Sequence, residues 1–234
     1  MGFREDHIYL FGTKTLAFQR ETERLEDSGV LLGYQFLSLK EFLRETFRQY
    51  YPRAKVLSEE GQMILLAKLL DRFSSYDFRV GDSLSQFIAE IKLSLSPPEK
   101  FLAKANAQFM ILFDYYADEL KRYGLKDKSD LFLSALGIIE ERDRKIKPLE
   151  GKKGIVIEGL SEDHRLWYAV IKGLSFRMPV TVKLPFAASD SAGFPHIAAI
   201  MENLEQLAGT ELTIEYSVFR LVPKPKAMRA SISF

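Results

Sequence analysis

Gly12, Thr13, Lys14 and Thr15 are the residues of this 234-residue chain best suited by type to hold a phosphate. They follow a short apolar run (Ile8, Leu10, Phe11) and lead into a helical stretch. Strand, glycine-containing turn and helix is the order in which α/β proteins present backbone N–H groups and a helix dipole to an anion. A complete phosphate loop, however, has the spacing G-x-x-x-x-G-K-[ST]. Here one glycine stands a single residue before Lys14-Thr15, and the loop is too short to wrap a triphosphate. The turn therefore reads as a degenerate phosphate loop without ATP chemistry. The plainer alternative is a tight strand-to-helix turn with Thr13 or Thr15 as N-cap.

Glu158 is the second candidate. It closes the segment GIVIEGL, whose β-branched run predicts a strand buried on both faces. In nucleotide hydrolases an acid at the end of such a strand holds Mg²⁺ or orients water, so Glu158 is the candidate metal ligand. The alternative is a strand-end carboxylate bonded to neighbouring backbone N–H groups. A third set is basic. Arg142, Arg144, Lys145, Lys147, Lys152 and Lys153 surround Pro148 and Gly151, and Arg220, Lys224, Lys226 and Arg229 mark the tail. Such charges suit nucleic-acid phosphates, although Glu140, Glu141, Asp143 and Glu150 dilute them, and a solvated loop is the alternative. Tyr51, beside Tyr50 and between Arg48 and Arg53, is the best candidate for stacking a base. Most of the 18 Phe and 10 Tyr fall at helical core spacing instead. The candidate nucleic-acid contacts are thus Arg48, Tyr51, Arg53, Arg144, Lys145, Lys147, Lys152 and Lys153.

The elements that must position these groups follow from periodicity. Leu16–Leu25 reads as a charged helix with Arg20, Glu21, Glu23 and Arg24 on a solvated face, ended at Gly29. Tyr34–Leu37 reads as a second strand. Ser38 with Glu41 has capping-box spacing, and Leu39, Phe42, Leu43, Phe47 and Tyr50 form a helical stripe that Pro52 stops. From there to Pro148 the pattern predicts helices only. They start at Ser58, Ser83, Pro97-Pro98 (the longest, to Gly124) and Ser129. After Gly154 come a helix capped by Ser161, a strand Pro179–Pro185, a helix Phe194–Leu207 and a strand Glu211–Tyr216. A β-α-β-α-β order predicts a parallel sheet with right-handed crossovers. The expected fold is α/β: residues 1–51 and 148–234 form a sheet domain, and residues 52–147 an all-helical insertion.

Composition narrows the function classes. Hydrophobic residues at 47% and charged residues at 28% suit a globular chain. Lys+Arg 33 against Asp+Glu 32 gives no global basic bias, and cysteine is absent, which excludes disulfides and thiolate chemistry. Three separated histidines make no metal cluster. No apolar run is long enough to span a bilayer and no signal-peptide pattern opens the chain, so the expectation is a soluble, cytoplasmic protein with no membrane partner. There is no Ser-His-Asp set, nucleophile elbow or G-x-G-x-x-G.

Taken in order, IYLFGTKTLA, GVLLGYQFLSLKEFL, YGLKDKSDLFLSAL, IVIEGLSEDHRLWYAVIKGL and VTVKLPF resemble the N-terminal part of the B subunits of bacterial ATP-dependent helicase–nucleases and of related RecB-type PD-(D/E)XK exonucleases. Gly124, Leu125, Asp127, Asp130 and Leu131 match one family segment. Glu158-Gly159-Leu160 matches its acid-Gly-Phe segment with Leu for Phe. The resemblance implies a UvrD-type, P-loop-NTPase-like sheet interrupted by a helical subdomain. It also implies a longer parent that ends in a nuclease, DNA as partner, a helicase subunit as a second partner, and ATP and Mg²⁺ as cofactors of the parent rather than of this fragment. The implied role is an ATPase-inactive DNA-binding or structural scaffold. The alternatives are a nucleotide-binding domain with residual ATPase activity, or a protein-interaction module.

Overall fold

Parallel pairing ties the two ends of the described chain into one sheet. The computed structural model describes residues 3–29, 31, 33–72, 80–97, 101, 107–160, 164–186, 195–207 and 212–218. Strands β1 (His7–Phe11), β2 (Gln35–Ser38), β5 (Gly154–Glu158), β6 (Val180–Phe186) and β7 (Leu212–Val218) form it in the order β2-β1-β5-β6-β7. All four pairings are parallel, with Ile8 beside Ile155 and Phe11 beside Glu158. The fold is α/β, as expected. No helix among the described residues is long and apolar enough to cross a membrane.

Alternation in the strands sorts residues to two faces. Ile8, Leu10, Ile155, Ile157, Val182 and Leu184 face a core closed by α2 (Leu39–Tyr50), α6 (Lys128–Glu140), α7 (Arg165–Ser175) and α8 (Pro195–Glu205). Tyr9, Phe11 and Val156 face the other way, against Leu16 and Ala17 of α1 (Lys14–Ser28) and the rings of Phe3 and Phe36. A third cluster lies apart. Leu66, Leu69 and Leu70 of α3 (Glu59–Arg72), Leu84 and Ile88 of α4 (Val80–Leu93), and Leu112, Tyr116 and Leu120 of α5 (Ala107–Tyr123) enclose it. The 52–147 segment expected as one insertion thus divides. Its α3, α4 and α5 have their own core, while α6 packs through Leu131, Ala135 and Ile139 into the core of the sheet.

Local signals placed several boundaries correctly. Ser38 and Glu41 form the capping box, the Ser58 hydroxyl accepts the Gly61 N–H at 3.0 Å, and Gly29 (φ 68°) and Gly124 (φ 62°) follow their helices in the left-handed conformation. Others differ. Ser83 lies inside α4, which begins at Val80. The cap of α6 is Asp127 and not Ser129, because a carboxylate two residues earlier reaches the Asp130 N–H at 2.8 Å. The cap of α7 is His164, whose ring accepts the Leu166 N–H; Ser161, the opening of α5 at Pro98, the expected boundaries Phe194 and Glu211, and the 219–234 tail lie outside the described residues. Two strands also occur where none was expected. β3 (Lys55–Val56) pairs in parallel with β4 (Leu125–Lys126), and two residues are too few to leave a period in sequence.

The joint between the two cores is polar. Lys92 of α4 places its Nζ 2.8 Å from both Asp127 and Asp130, and the buried Tyr116 hydroxyl donates to Asp127 at 3.1 Å. Asp127 is 1% exposed. Burial first, then the Asp127 charge, pushes the Tyr116 phenol far above its ordinary range. Truncating Asp127 removes the α6 cap and strands half of the Lys92 interaction. Asp127→Ala is expected to cost about 3 kcal/mol, between the loss of a cap and the loss of a buried ion pair, as measured by urea unfolding.

Candidate functional site

The strand order reverses direction between β1 and β5, and in open α/β sheets the crevice beyond the carboxyl ends of two such strands is where ligands bind. Gly12 and Glu158 lie at that point, so the sequence candidates fall where this rule would look. The crevice is filled by the chain itself. The Gly12 N–H donates to the Glu158 carbonyl at 2.9 Å. Gly159, at φ 75°, turns its own carbonyl onto the Gly12 Cα, and a Cβ built on Gly12 would run into that oxygen. The Leu16 side chain covers Gly159 from the first turn of α1.

Most of the sequence candidates at the turn have an internal use. Thr13 is the N-cap of α1, accepting the Leu16 N–H at 3.2 Å. Thr15 is exposed in the first turn. Lys14, 82% exposed, reaches the capping-box carboxylate of Glu41 at 3.3 Å. Glu158 is held by Arg20 of α1: Nε donates to Oε1 at 3.0 Å and Nη2 donates to the same oxygen. The same guanidinium binds Glu23 at 2.6 Å. A cation thus sits where the acid would otherwise meet Mg²⁺. Burial disfavours the charged guanidinium, yet the bonds to Glu23 and Glu158 outweigh it and raise Arg20 above its ordinary value. The expectation of a solvated Arg20 is corrected here. Its spacing six residues past Lys14 turns it over the end of β5, a placement that only the helix–sheet packing reveals. Among the described residues no group of three or more His, Asp and Glu is placed to hold a metal.

Comparison with family models and with curated proteins finds no match to this sequence.

The basic set lies at the other end of the sheet, beyond the amino ends of its strands. Lys153 precedes β5, and its N–H donates to the Asp6 carbonyl just before β1. A five-residue strand separates this end from Glu158 by about 16 Å at ~3.3 Å per residue. Three of the bases are used internally. Lys152 donates to the Glu5 and Gly33 carbonyls at 2.9 and 2.7 Å, Lys153 meets Asp6 at 3.3 Å, and Arg144 meets Glu141 at 2.5 Å and lies over the Tyr50 ring. Arg48, Arg53, Lys145 and Lys147 are exposed and form no ion pair among the described residues.

The connector carrying Lys145 and Lys147 is built rather than loose. Residues 147–149 form a 3₁₀ turn with Pro148 and Leu149 buried. Gln49 of α2 donates to the Lys145 carbonyl at 2.7 Å and accepts the Lys147 N–H at 2.9 Å, and the Tyr50 hydroxyl donates to the same Lys145 carbonyl. Arg48 and Lys147 share a shallow groove with Gln49 and Pro148. Tyr51 stays 39% exposed against Phe47. Sequence reasoning missed Gln49, since an amide at a helix end carries no pattern.

Two outcomes follow. Gly12→Ala is expected to destabilise the fold by about 3 kcal/mol, the upper range for forced overpacking, in chemical denaturation. Glu41 responds to acid. Burial alone would raise its carboxyl, but bonds from Ser38 and Lys14 hold it below its ordinary 4.5. A carboxyl lowered in the folded state stabilises the fold above its unfolded value and loses that contribution as pH falls through the folded one. Stability measured from pH 6 downward should therefore begin to fall near 4.5, and Glu41→Gln should be less stable at pH 6 and fall less steeply.

Proposed function

We propose that this chain is the helicase-like, ATPase-inactive part of a DNA-repair or recombination exonuclease, a scaffold that guides DNA towards a nuclease carried elsewhere in the parent. The observation that carries the reading is the occupied switch point. The Gly159 carbonyl, the Leu16 side chain and the Arg20 guanidinium stand where a nucleotide's phosphates and Mg²⁺ would be. A five-stranded parallel sheet with a helical unit inserted between β2 and β5 is compatible with a UvrD-type motor body, and a body of that type without its cradle has no route to ATP turnover. The DNA phosphates meet the opposite end, where Arg48, Arg53, Lys145 and Lys147 project and Tyr51 offers a ring for stacking.

The test pairs nucleotide and DNA. Incubation with ATP and Mg²⁺ should release no phosphate above background, and titration calorimetry with ADP should show no heat of binding. A fluorescein-labelled oligothymidylate should bind in anisotropy titrations, with a salt slope of about −0.7 per neutralised phosphate. The triple variant Arg48→Glu, Lys145→Glu, Lys147→Glu should weaken that binding at least about tenfold, equivalent to about 1.4 kcal/mol, while Lys14→Ala leaves it unchanged. ATP turnover abolished by Lys14→Ala, or DNA binding indifferent to the triple variant, would overturn the proposal.

A further inference from the structure

A shallow groove of about 540 Å³ lies beside the connector from α6 to β5, closed on its far side by Phe176, Arg177 and Met178 after α7. These three residues come just before β6, as Lys153 comes just before β5. The groove therefore opens at the same end of the sheet as Lys145 and Lys147. Its floor is apolar at the buried Ile146 and Leu149. Its frame is stiff. Arg177 donates to the carbonyls of Ile138, Ile139, Glu141 and Arg144, and Gln49 holds the Lys145 carbonyl from the other side.

On that frame one pair of side chains is left unused by the cores. Phe176 is 42% exposed and belongs to no buried cluster. The Arg142 guanidinium lies over its ring, 4.3 Å from the centroid. Arg142 is exposed and forms no hydrogen bond or ion pair among the described residues, so its N–H donors stay open. A planar cation resting on a ring extends that ring as a platform. Bases of single strands stack on aromatic rings and on guanidinium planes alike.

The groove itself is poorly suited to phosphates. Arg144 is spent on Glu141 and Arg177 on carbonyls, while Asp143 and Glu150 stand exposed along it without ion pairs. A flat platform beside acceptors suits a base, whose rim carries amino N–H groups. The phosphates have Lys145 and Lys147 next along the chain, both exposed and free of ion pairs among the described residues.

We infer that Phe176 and Arg142 form a base-stacking station in addition to Tyr51, and that the DNA met at this end of the sheet is single-stranded, since a duplex closes its base faces to side chains. The inference rests on the scaffold reading and adds to it the state of the strand and the pair that holds a base.

Three fluorescein-labelled probes of one length, followed by anisotropy, test it: an oligothymidylate, an abasic deoxyribose-phosphate strand, and the oligothymidylate paired with oligodeoxyadenylate. The first two carry the same phosphates, so their difference reads the bases. The thymidylate strand should bind at least about tenfold tighter than either of the others, within the range of one stacked base. Phe176→Leu keeps an apolar cover and removes the ring; Arg142→Lys keeps the charge and removes the plane. Each should weaken the thymidylate strand about tenfold and leave the abasic strand and the salt slope unchanged. Arg142→Lys decides the matter should Phe176→Leu fail to fold. Binding of no probe would overturn the scaffold reading and this inference with it. Thymidylate binding that falls in the Arg48→Glu, Lys145→Glu, Lys147→Glu variant but not in Phe176→Leu or Arg142→Lys would overturn the station alone, as would an equal loss for the abasic strand. Equal affinity for the single strand and the duplex would overturn the choice of strand.

Discussion

Where β1 and β5 end side by side, two glycines let two backbones touch. The Gly12 amide bonds the Glu158 carbonyl, and Gly159, left-handed, brings its own carbonyl onto the Gly12 Cα. Any side chain at Gly12 would part the strands' ends, and an L-residue at Gly159 would be strained at its positive φ. The contact then sets what surrounds it. Leu16 packs on the bare Gly159 and fixes the first turn of α1, and about one further helical turn brings Arg20 over Glu158. A ligand would need the volume these groups already occupy. One backbone contact thus accounts for the tight turn, the direction of α1 and the paired state of the acid.

A second constraint joins the two cores. The sheet's core and the α3–α5 cluster meet across Lys92, Asp127, Asp130 and Tyr116. Bonds of this kind need defined directions, whereas apolar contacts slide at little cost. Asp127 serves both sides, capping α6 within the first core and holding Lys92 and Tyr116 of the second. The relative placement of the two units is consequently specified by oriented groups rather than by burial alone. At the other end of α6, Arg177 performs a similar task. Its guanidinium donates to the carbonyls of Ile138, Ile139, Glu141 and Arg144 and closes the helix terminus onto the end of α7.

The parts legible in sequence were those encoded locally. GIVIEGL announced a buried strand because β-branched runs have few other uses, and it pairs in register with Ile8–Phe11. Ser38 and Glu41 stated a helix start through hydrogen bonds three residues apart. Asp127 escaped attention because Ser129 is an equally good cap by type, and only the approach of Lys92 explains the choice of the acid. The candidate site was half legible. Gly12 and Glu158 were found, since a turn and a strand end are local features. Their occupants were not, because Arg20 reaches Glu158 across 138 residues and looked like one more charge on a helix surface. Lys152 was misleading in the same way: its ammonium ends on two carbonyls that sequence does not place nearby.

The clasp made by Gln49 has a mechanical consequence. By bonding the Lys145 carbonyl and the Lys147 amide together, it immobilises the main chain under those two residues while leaving their four-carbon stems unrestrained. Charge is then offered from a fixed mounting with adjustable reach. A row of anions laid against this end of the sheet would be met whatever its exact spacing, and the main chain would not have to reorganise as the row slid past.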